Sequence, residues 1–254
     1  MYGKYAALAA AAALLAGCAE IPRDAGSAPE DPWEAANRRV YAFNSTVDAY
    51  VVKPVARAYE KAVPEPAREG VTNFFQNLGE PSNAVNNALQ GKGERALASV
   101  FRLLINTTIG LGGIFDVAGP VGGQAVCRED FGQTLAVWGV PSGPYLVVPF
   151  LGPSTMRDFP SLAVEYFSEP MSYVDDPWIS WGAWAVDLVN MRANLLPLTD
   201  VLEESVEPYA MTRQAFLANR RNEIYDGDPP LELVKDEFED EDDAPAAEKK
   251  ENQP

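Results

Sequence analysis

Hydrophobic positions recur at helical spacing along most of the chain. Over residues 31–54, apolar side chains fall three or four residues apart, as on one face of an α-helix. These positions are Trp33, Ala36, Val40, Phe43, Val47 and Tyr50. The pair Asp31-Pro32 predicts the start of this helix, with aspartate as the N-cap and proline in the first helical position. Pro54 predicts a kink or an end.

The same spacing predicts three more helices before residue 110. The second begins after Pro66 and ends at Glu80-Pro81, and a short third begins at Ser82 and is closed by Gly91. The fourth covers residues 93–109, and its second half is apolar nearly all round. A run of helices without an intervening strand pattern indicates an all-α fold.

Two segments combine glycines with large apolar side chains, unlike the polar loops of soluble surfaces. Residues 110–115 form either a turn buried in the core or a turn that enters lipid. Residues 131–153 also contain four prolines, which disfavour a helix or a central strand. There we expect an extended, apolar, hairpin-like loop that is a mobile gate, with Gly139 as the hinge and Gly143 and Tyr145 as further gate candidates. The alternative is static core packing.

The C-terminal half predicts three helices. Ser154 can cap the first, which Pro160 interrupts or kinks. The second covers residues 178–196 after Asp176-Pro177 and is apolar over most of its circumference, as in a helix that is buried or in lipid. On its apolar face, Arg192 either reaches polar surroundings near the helix end or contacts an anionic headgroup. The third is amphipathic and covers residues 202–220. The helix over residues 178–196 also carries a thin polar stripe along its length, formed by Ser180, Asp187, Asn190 and Asn194.

The N-terminus has the pattern of a lipoprotein signal peptide. Lys4 precedes a short apolar run that ends in Leu-Ala-Gly-Cys, so we predict a signal peptide over residues 1–17 and lipidation of Cys18. The alternative is an ordinary secretory signal with an incidental cysteine. Ala19, in place of an aspartate that would favour inner-membrane retention, points to the outer membrane. Residues 18–30 are rich in Pro, Gly, Ser and Ala and predict a flexible tether.

Composition narrows the classes of function. The chain contains no histidine, which excludes Ser-His-Asp catalysis and histidine-based zinc sites. We expect no cofactor. The net charge is −17 without a basic patch, which disfavours nucleic acid as a partner. Residues 226–254 contain 12 acidic side chains and 3 lysines and predict a disordered, solvating tail, with a docking site as the alternative. Cys127 is interpreted as a small buried residue rather than a reactive thiol.

The apolar helices bear on function because the predicted lipid anchor would already hold the chain at a membrane. Further amphipathic helices are unnecessary for anchoring. They indicate that the body of the protein, residues 31–225, sits in one membrane leaflet as a ring-like bundle. Polar stripes would then face inward, since polar groups in hydrocarbon face a bundle interior or a water-filled cavity.

Several blocks in the chain, spread over residues 31–221, resemble the MlaA/VacJ family of lipoproteins. They include Asp31-Pro32-Trp33-Glu34, Asn37-Arg38, Phe43-Asn44, Lys53-Pro54-Val55, Asn106-Thr107, Gly110-Leu111-Gly112-Gly113, Phe131-Gly132-Gln133-Thr134-Leu135, Gly143-Pro144-Tyr145, Arg157-Asp158 and Glu207-Pro208-Tyr209. The resemblance implies a helical ring in the inner leaflet of the outer membrane, facing the periplasm and associated with a trimeric porin. It also implies that phospholipid misplaced in the outer leaflet is passed to a soluble periplasmic MlaC-like carrier, with no catalytic residues.

Candidate residues for a lipid path come from the predicted helix over residues 178–196 and from the blocks that resemble the MlaA/VacJ family. The polar stripe and its neighbour contribute Asp187, Asn190 and Arg192, and the matched blocks contribute Phe43, Asn44 and Asn106. Two other functions remain open. One is a structural lipoprotein that braces porins, and the other is a lipid hydrolase. Without histidine, a hydrolase would need Ser-Lys or paired carboxylates, and the adjacent pairs Asp175-Asp176 and Glu203-Glu204 point apart on a helix.

Overall fold

A computed structural model describes residues 21–119, 128–203 and 205–230. Within these ranges, eight α-helices account for most of the residues. They are α1 Glu34–Val47, α2 Lys53–Ala62, α3 Glu65–Leu89, α4 Gly93–Thr108, α5 Phe131–Val137, α6 Asp158–Ser168, α7 Pro177–Glu203 and α8 Pro208–Ile224. The predicted signal peptide, Cys18, Cys127 and most of the acidic tail lie outside the described residues.

The all-α prediction needs one correction. Strands β1 (Tyr145–Val148) and β2 (Gly152–Thr155) pair antiparallel, with Tyr145 opposite Thr155 and Val148 opposite Gly152. Pro153 is tolerated because each strand of a two-stranded hairpin is an edge strand. The hairpin lies in the second half of the segment that we expected to be extended. In its first half the expectation was wrong, because seven residues form α5.

The first helix starts later than its sequence signals predict. Glu34 is its first residue and Trp33 occupies the N-cap position, while Asp31 makes no cap. Asp31 instead points inward and is fully buried. Near Pro54 the helix does not end: a π-helical turn, Asp48–Val52, connects α1 directly to α2. The wider turn accommodates a proline that donates no backbone hydrogen bond.

Proline is also tolerated inside two longer helices. We expected Glu80-Pro81 to separate two helices, but α3 continues through Pro81 for 25 residues. It packs along α4, and this packing offsets the one missing backbone hydrogen bond. Similarly, α7 continues through Pro197 to Glu203, beyond the predicted end. The predicted closure near Gly91 and the predicted fourth helix are confirmed by the structure.

Two helix starts in the C-terminal half differ from expectation. Ser154 lies in β2 rather than at a helix cap, and α6 begins at Asp158, so Pro160 falls in its first turn and does not interrupt it. The last helix begins at Pro208 rather than near residue 202, because proline favours the first turn. The start of α7 is as predicted, with the Asp176 carboxylate accepting a hydrogen bond from the Trp178 backbone N–H.

Contacts between elements form a closed circuit. Helix α1 packs on β1, β2 on α6, α6 on α3, α3 on α7 and α7 on α2, which is joined back to α1. Helix α8 contacts α5, α7 and β2. This circuit agrees with a ring-like order of helices. None of the helices in the described ranges combines the length and the apolar character needed to cross a membrane.

Two small apolar clusters lie within this circuit. Ala56, Ala193 and Leu196 join α2 to α7, with Tyr59 packed against them. Tyr145, Val147 and Tyr209 join β1 to α8. The described part of the expected tether, residues 21–30, forms turns, and it is held to the body where the Tyr145 N–H donates to the Glu30 carbonyl (2.7 Å).

Candidate functional site

The distribution of polarity is the reverse of that in an ordinary globular protein. Among the described residues, 21 buried side chains are polar or charged and 7 are hydrophobic. Large apolar side chains are instead exposed, and Trp178 and Trp181 on α7 are 87% and 68% exposed. Water-soluble folds normally bury their apolar side chains, so the polar interior is the unusual feature of this fold. The candidate site is therefore the polar interior.

One interior cluster is centred on Asp31. Its carboxylate accepts hydrogen bonds from Asn37 Nδ2 (2.8 Å), Arg213 Nη1 (3.0 Å) and the Tyr209 hydroxyl. Asn37 also accepts from the Val147 N–H (3.0 Å) and donates to the Tyr145 carbonyl (3.0 Å). The cluster thus joins the segment just before α1, α1 itself, β1 and α8. Its geometry is that of a structural clamp, with every oxygen of Asp31 occupied.

A second cluster is centred on Arg220 of α8. Its guanidinium donates to both oxygens of Asp130 (2.5 and 2.6 Å) and to Asp158 (3.0 Å), which also accepts from Arg157 (2.8 Å). Burial alone would raise the pKa of Asp130, but the hydrogen bonds and charge of Arg220 outweigh it and hold that pKa below its usual value. Gly132 is required here, because a Cβ would collide with the carboxylate of Asp158 and the guanidinium of Arg220.

Of the lipid-path candidates, Asn106 lies in a third cluster, between α4 and the turn that follows it. Its amide donates to Asp116 (2.9 Å) and accepts from the backbone N–H groups of Val117 and Ala118 (3.0 and 2.9 Å). Asp116 also accepts from Arg102 (3.1 Å). The structure therefore places Asn106 as a clamp on the glycine-rich turn. Within that turn, Leu111 and Phe115 are exposed, so they are not core residues.

Phe43 and Asn44 meet the β1–β2 hairpin. The Asn44 amide donates to the Val148 carbonyl (2.9 Å) and accepts from the Phe150 N–H (2.8 Å). The Phe43 and Phe150 rings pack edge to face, with centroids 5.1 Å apart. Both residues thus hold the tip of the hairpin against α1. Phe150 has a positive φ of 66° and is 71% exposed, so the tip carries an apolar side chain outward.

The three candidates on α7 have different surroundings. Arg192 makes a bidentate ion pair with Asp48 (2.7 and 2.8 Å) and donates to Thr199. Its role in a lipid path stays a prediction. Asn190 is buried and bonds Tyr59 (3.0 Å) and Thr72 (2.8 Å). Asp187 is half-buried, and this burial raises its pKa, although the charge of Arg128 opposes the shift. Arg192 and Asn190 therefore join α7 to its neighbours, whereas Asp187 carries no such bond in the described residues.

The structure gives each gate candidate a specific local environment. Gly139 follows α5 with a φ of +90°, and its N–H donates to the Ala136 carbonyl, so it closes the helix as a C-terminal glycine. Gly143 has a φ of +66° and lies against Met156. Tyr145 is fully buried against Tyr209 and Phe216. A gate at Tyr145 would have to break this packing, and its role as a gate residue stays a prediction.

The sequence did not predict that Asp31 is the buried centre of a hydrogen-bonded cluster, nor that a second cluster surrounds Arg220. One signal was available, because Arg213 and Arg220 lie seven residues apart, in register with Tyr209 and Phe216. Two cations on an apolar helical face indicate buried ion-pair partners. Their acidic partners come from distant parts of the chain, so the sequence alone did not name them.

The family-model comparison matches residues 29–223 to a family described as "MlaA lipoprotein". The chain belongs to the MlaA lipoprotein family. It is 37% identical over 246 residues to the Intermembrane phospholipid transport system lipoprotein MlaA of Escherichia coli K12, a match that covers 93% of this chain and 97% of the relative. The protein of the same name from Haemophilus influenzae is 32% identical, over 78% of this chain and 80% of that relative.

A solved structure supports the same membership. It is described as "Structural basis for maintenance of bacterial outer membrane lipid asymmetry", is 37% identical, and superposes with a TM-score of 0.68 over 76% of this chain and 98% of that one. The resemblance of the motif blocks to MlaA lipoproteins is thereby confirmed. In this member of the MlaA family, within the described residues, no three or more His, Cys, Asp or Glu side chains are grouped so as to hold a metal ion.

Proposed function

We propose that this lipoprotein takes phospholipid misplaced in the outer leaflet of the outer membrane and hands it to a soluble periplasmic carrier, which maintains lipid asymmetry. The body would lie in the inner leaflet, anchored through Cys18 and open to the periplasm. Its helices present apolar side chains outward and enclose polar groups, so acyl chains and headgroups each meet a suitable environment.

The reversed polarity is the observation that carries this proposal. Exposed aromatic and aliphatic side chains would be costly in water at about 25 cal/mol per Å², but they are favourable against acyl chains. Buried charges such as Arg220 and Arg102 are paired and hydrogen-bonded, as charges at membrane depth must be. The same interior offers polar surroundings to a headgroup that leaves the leaflet.

The names of the relatives support a role in phospholipid transport. Two of them carry names that describe an intermembrane phospholipid transport system, and the structural relative concerns outer-membrane lipid asymmetry. We propose a trimeric porin and an MlaC-like carrier as partners on the strength of this family membership. Binding to a porin and to a carrier needs no catalytic residue in the chain. We propose that the protein is not an enzyme.

Deletion of the gene tests the function. We expect more phospholipid in the outer leaflet, measured as the fraction accessible to an added phospholipase in intact cells, and greater sensitivity to SDS with EDTA. The wild-type gene supplied in trans should restore both. Unchanged outer-leaflet phospholipid in the deletion strain would contradict transport and favour a bracing role. Release of fatty acid or headgroup by the purified protein would instead show a hydrolase.

A further inference from the structure

A cleft of about 280 Å³ lies between α3, α5 and α6. Its walls are mainly apolar, and they include Val85, Leu89, Phe131 and Val164. Polar groups enter it at a few points only: Ser82, Asn86, Ser168 and Glu165. The volume falls just below the roughly 300–1,000 Å³ of pockets that enclose whole small molecules, so the cleft suits a headgroup rather than two acyl chains.

Glu165 is the ionisable side chain in the cleft wall. It accepts a hydrogen bond from the Ser161 hydroxyl (3.2 Å), and no cation of the described residues lies within ion-pair distance of it. The neighbouring carboxylates are different, because Asp130 and Asp158 are both paired with Arg220. The Glu165 carboxylate therefore has unused acceptor capacity that faces an apolar cleft.

We propose that this cleft binds the ammonium headgroup of a phospholipid, such as an ethanolamine phospholipid, with Glu165 as the carboxylate partner. This inference rests on the proposed function, because it names the headgroup class that a lipid-transporting protein would accept. The ammonium group supplies the positively charged partner that the Glu165 carboxylate lacks. A hydrogen bond between charged groups is stronger than one between neutral groups. The apolar walls suit the aliphatic part of the same headgroup.

The charges around Glu165 favour an ammonium group over a phosphate. Asp130 lies on the α5 side and its charge acts on Glu165, while Arg220 of α8 and the exposed Arg128 oppose it more weakly. The wall contributed by α3 carries no ionisable side chain. The pKa of Glu165 is raised to about 7, first by burial and then by the charge of Asp130. A cleft that resists a second negative charge attracts a cation and repels a phosphate.

The test compares lipid headgroups on the full-length protein. Protein in dodecyl maltoside is equilibrated at pH 8 with equimolar dioleoyl-phosphatidylethanolamine and dioleoyl-phosphatidylglycerol, and bound lipid is measured by mass spectrometry. We expect Glu165→Gln to lower the ratio of bound ethanolamine to glycerol lipid about fivefold. Glu60→Gln, at an exposed position on α2, removes the same charge and should leave the ratio as in the wild type.

The outcomes separate this inference from the proposed function. Selective loss of the ethanolamine preference in Glu165→Gln, with unchanged helicity by circular dichroism, supports the ammonium site. An unchanged ratio, or equal loss of both lipids, overturns the site and leaves phospholipid binding intact. A wild-type protein that binds neither lipid contradicts the proposed function itself.

Two further measurements identify the source of the cation and its chemistry. Free ethanolamine should not displace the bound lipid, and displacement would reassign the cleft to small amines. At pH 6 Glu165 is mostly protonated, so the wild-type preference should fall towards that of Glu165→Gln. A preference that is the same at pH 6 and pH 8 would contradict the role of the Glu165 carboxylate.

Discussion

Several buried charges among the described residues are each held by a partner of opposite charge. Arg220 illustrates the rule: its pKa is raised, because hydrogen bonds and charge from Asp130 and Asp158 outweigh the opposing effect of burial. Asp130 and Asp158 have lowered pKa values for the reciprocal reason. Removal of one partner from such a cluster leaves an uncompensated buried charge, which costs more than the pair contributes.

We expect Arg220→Ala to lower the free energy of unfolding by about 3 kcal/mol, because it leaves Asp130 and Asp158 without their shared cation. Arg220→Lys should recover part of this loss, since it restores the charge but not the bidentate geometry. Denaturant unfolding followed by circular dichroism in detergent measures both. Arg39→Ala, at an exposed position on α1, is the control. Equal stability of the Arg220→Ala and Arg39→Ala variants would show that the cluster around Arg220 does not stabilise the fold.

Glu165 gives stability a pH dependence. Its pKa rises from the ordinary value of 4.5 to about 7 in the folded chain, because burial disfavours the ionised form. Below pH 4.5 the group is protonated in both the folded and the unfolded chain, and between 4.5 and 7 only the unfolded chain releases the proton. Its contribution to stability is therefore fully present at low pH and is lost as pH rises to about 7. Relative to wild type, Glu165→Gln should gain in melting temperature from pH 5 to pH 8, and the same difference at both pH values would contradict this assignment.

Among the elements, the β1–β2 hairpin depends on α1 for its position. Asn44 bonds both sides of the hairpin tip, at Val148 and Phe150. We expect Asn44→Ala to speed amide exchange at Phe150 and to cost about 1–2 kcal/mol of stability. Ser45→Ala, at the adjacent exposed position, is the control. Phe150 exchange that is unchanged in Asn44→Ala would show that the hairpin is held elsewhere.

The gate hypothesis belongs to the same element and is better tested at Asn44 than at Gly139. A proline at position 139 would need a φ near about −65°, whereas Gly139 has +90° and donates its N–H to Ala136. That substitution would damage the end of α5 whether or not a gate exists. If residues 131–153 do form a gate, Asn44→Ala should alter outer-leaflet phospholipid at normal protein abundance.

For the whole molecule, the predicted attachment at Cys18 would decide where the body acts. Cys18→Ala should leave an uncleaved or soluble precursor that no longer fractionates with the outer membrane. Acyl chains contribute about 0.8 kcal/mol of membrane affinity per buried CH₂, so the loss should be large. Fractionation and metabolic labelling with a radioactive fatty acid measure it. Normal, labelled lipoprotein from this mutant would contradict the predicted lipidation site.

The acidic tail leaves the body at a defined point. Asp226 lies in ion pairs with Lys92 and Arg95 near the start of α4, and residues 231–254 are outside the described ranges. We expect truncation after Gly227 to preserve the fold, whereas Asp226→Asn in the full chain should cost about 1 kcal/mol. Unfolding measurements check both, and a truncated chain that unfolds much more easily would assign the tail a structural role.

The tail also carries −9 of the net charge of −17. If it docks the periplasmic carrier, truncation after Gly227 should lower cross-linking to the carrier, and added salt should have the same effect on the full chain. If the tail only solvates the protein, cross-linking and resistance to SDS with EDTA should both be unchanged.

The sequence by itself determined the family, the helical class and most helix positions. Its motif blocks and the three- and four-residue spacing are local properties, so they can be read without the fold. It also indicated that apolar side chains exceed the needs of one core. It could not predict that α3 and α7 continue through Pro81 and Pro197, because the packing that offsets a missing hydrogen bond comes from other helices.

Only the tertiary structure decided which polar residues share a cluster. Asp31 had the local signature of a helix cap, yet it bonds Tyr209 and Arg213, which lie 178 and 182 residues away. The spacing places Arg192 on the apolar face of α7 without naming a partner, and in the structure it pairs with Asp48. A local pattern fixes the face of a helix on which a side chain lies, whereas its partner depends on which distant segment packs against that face.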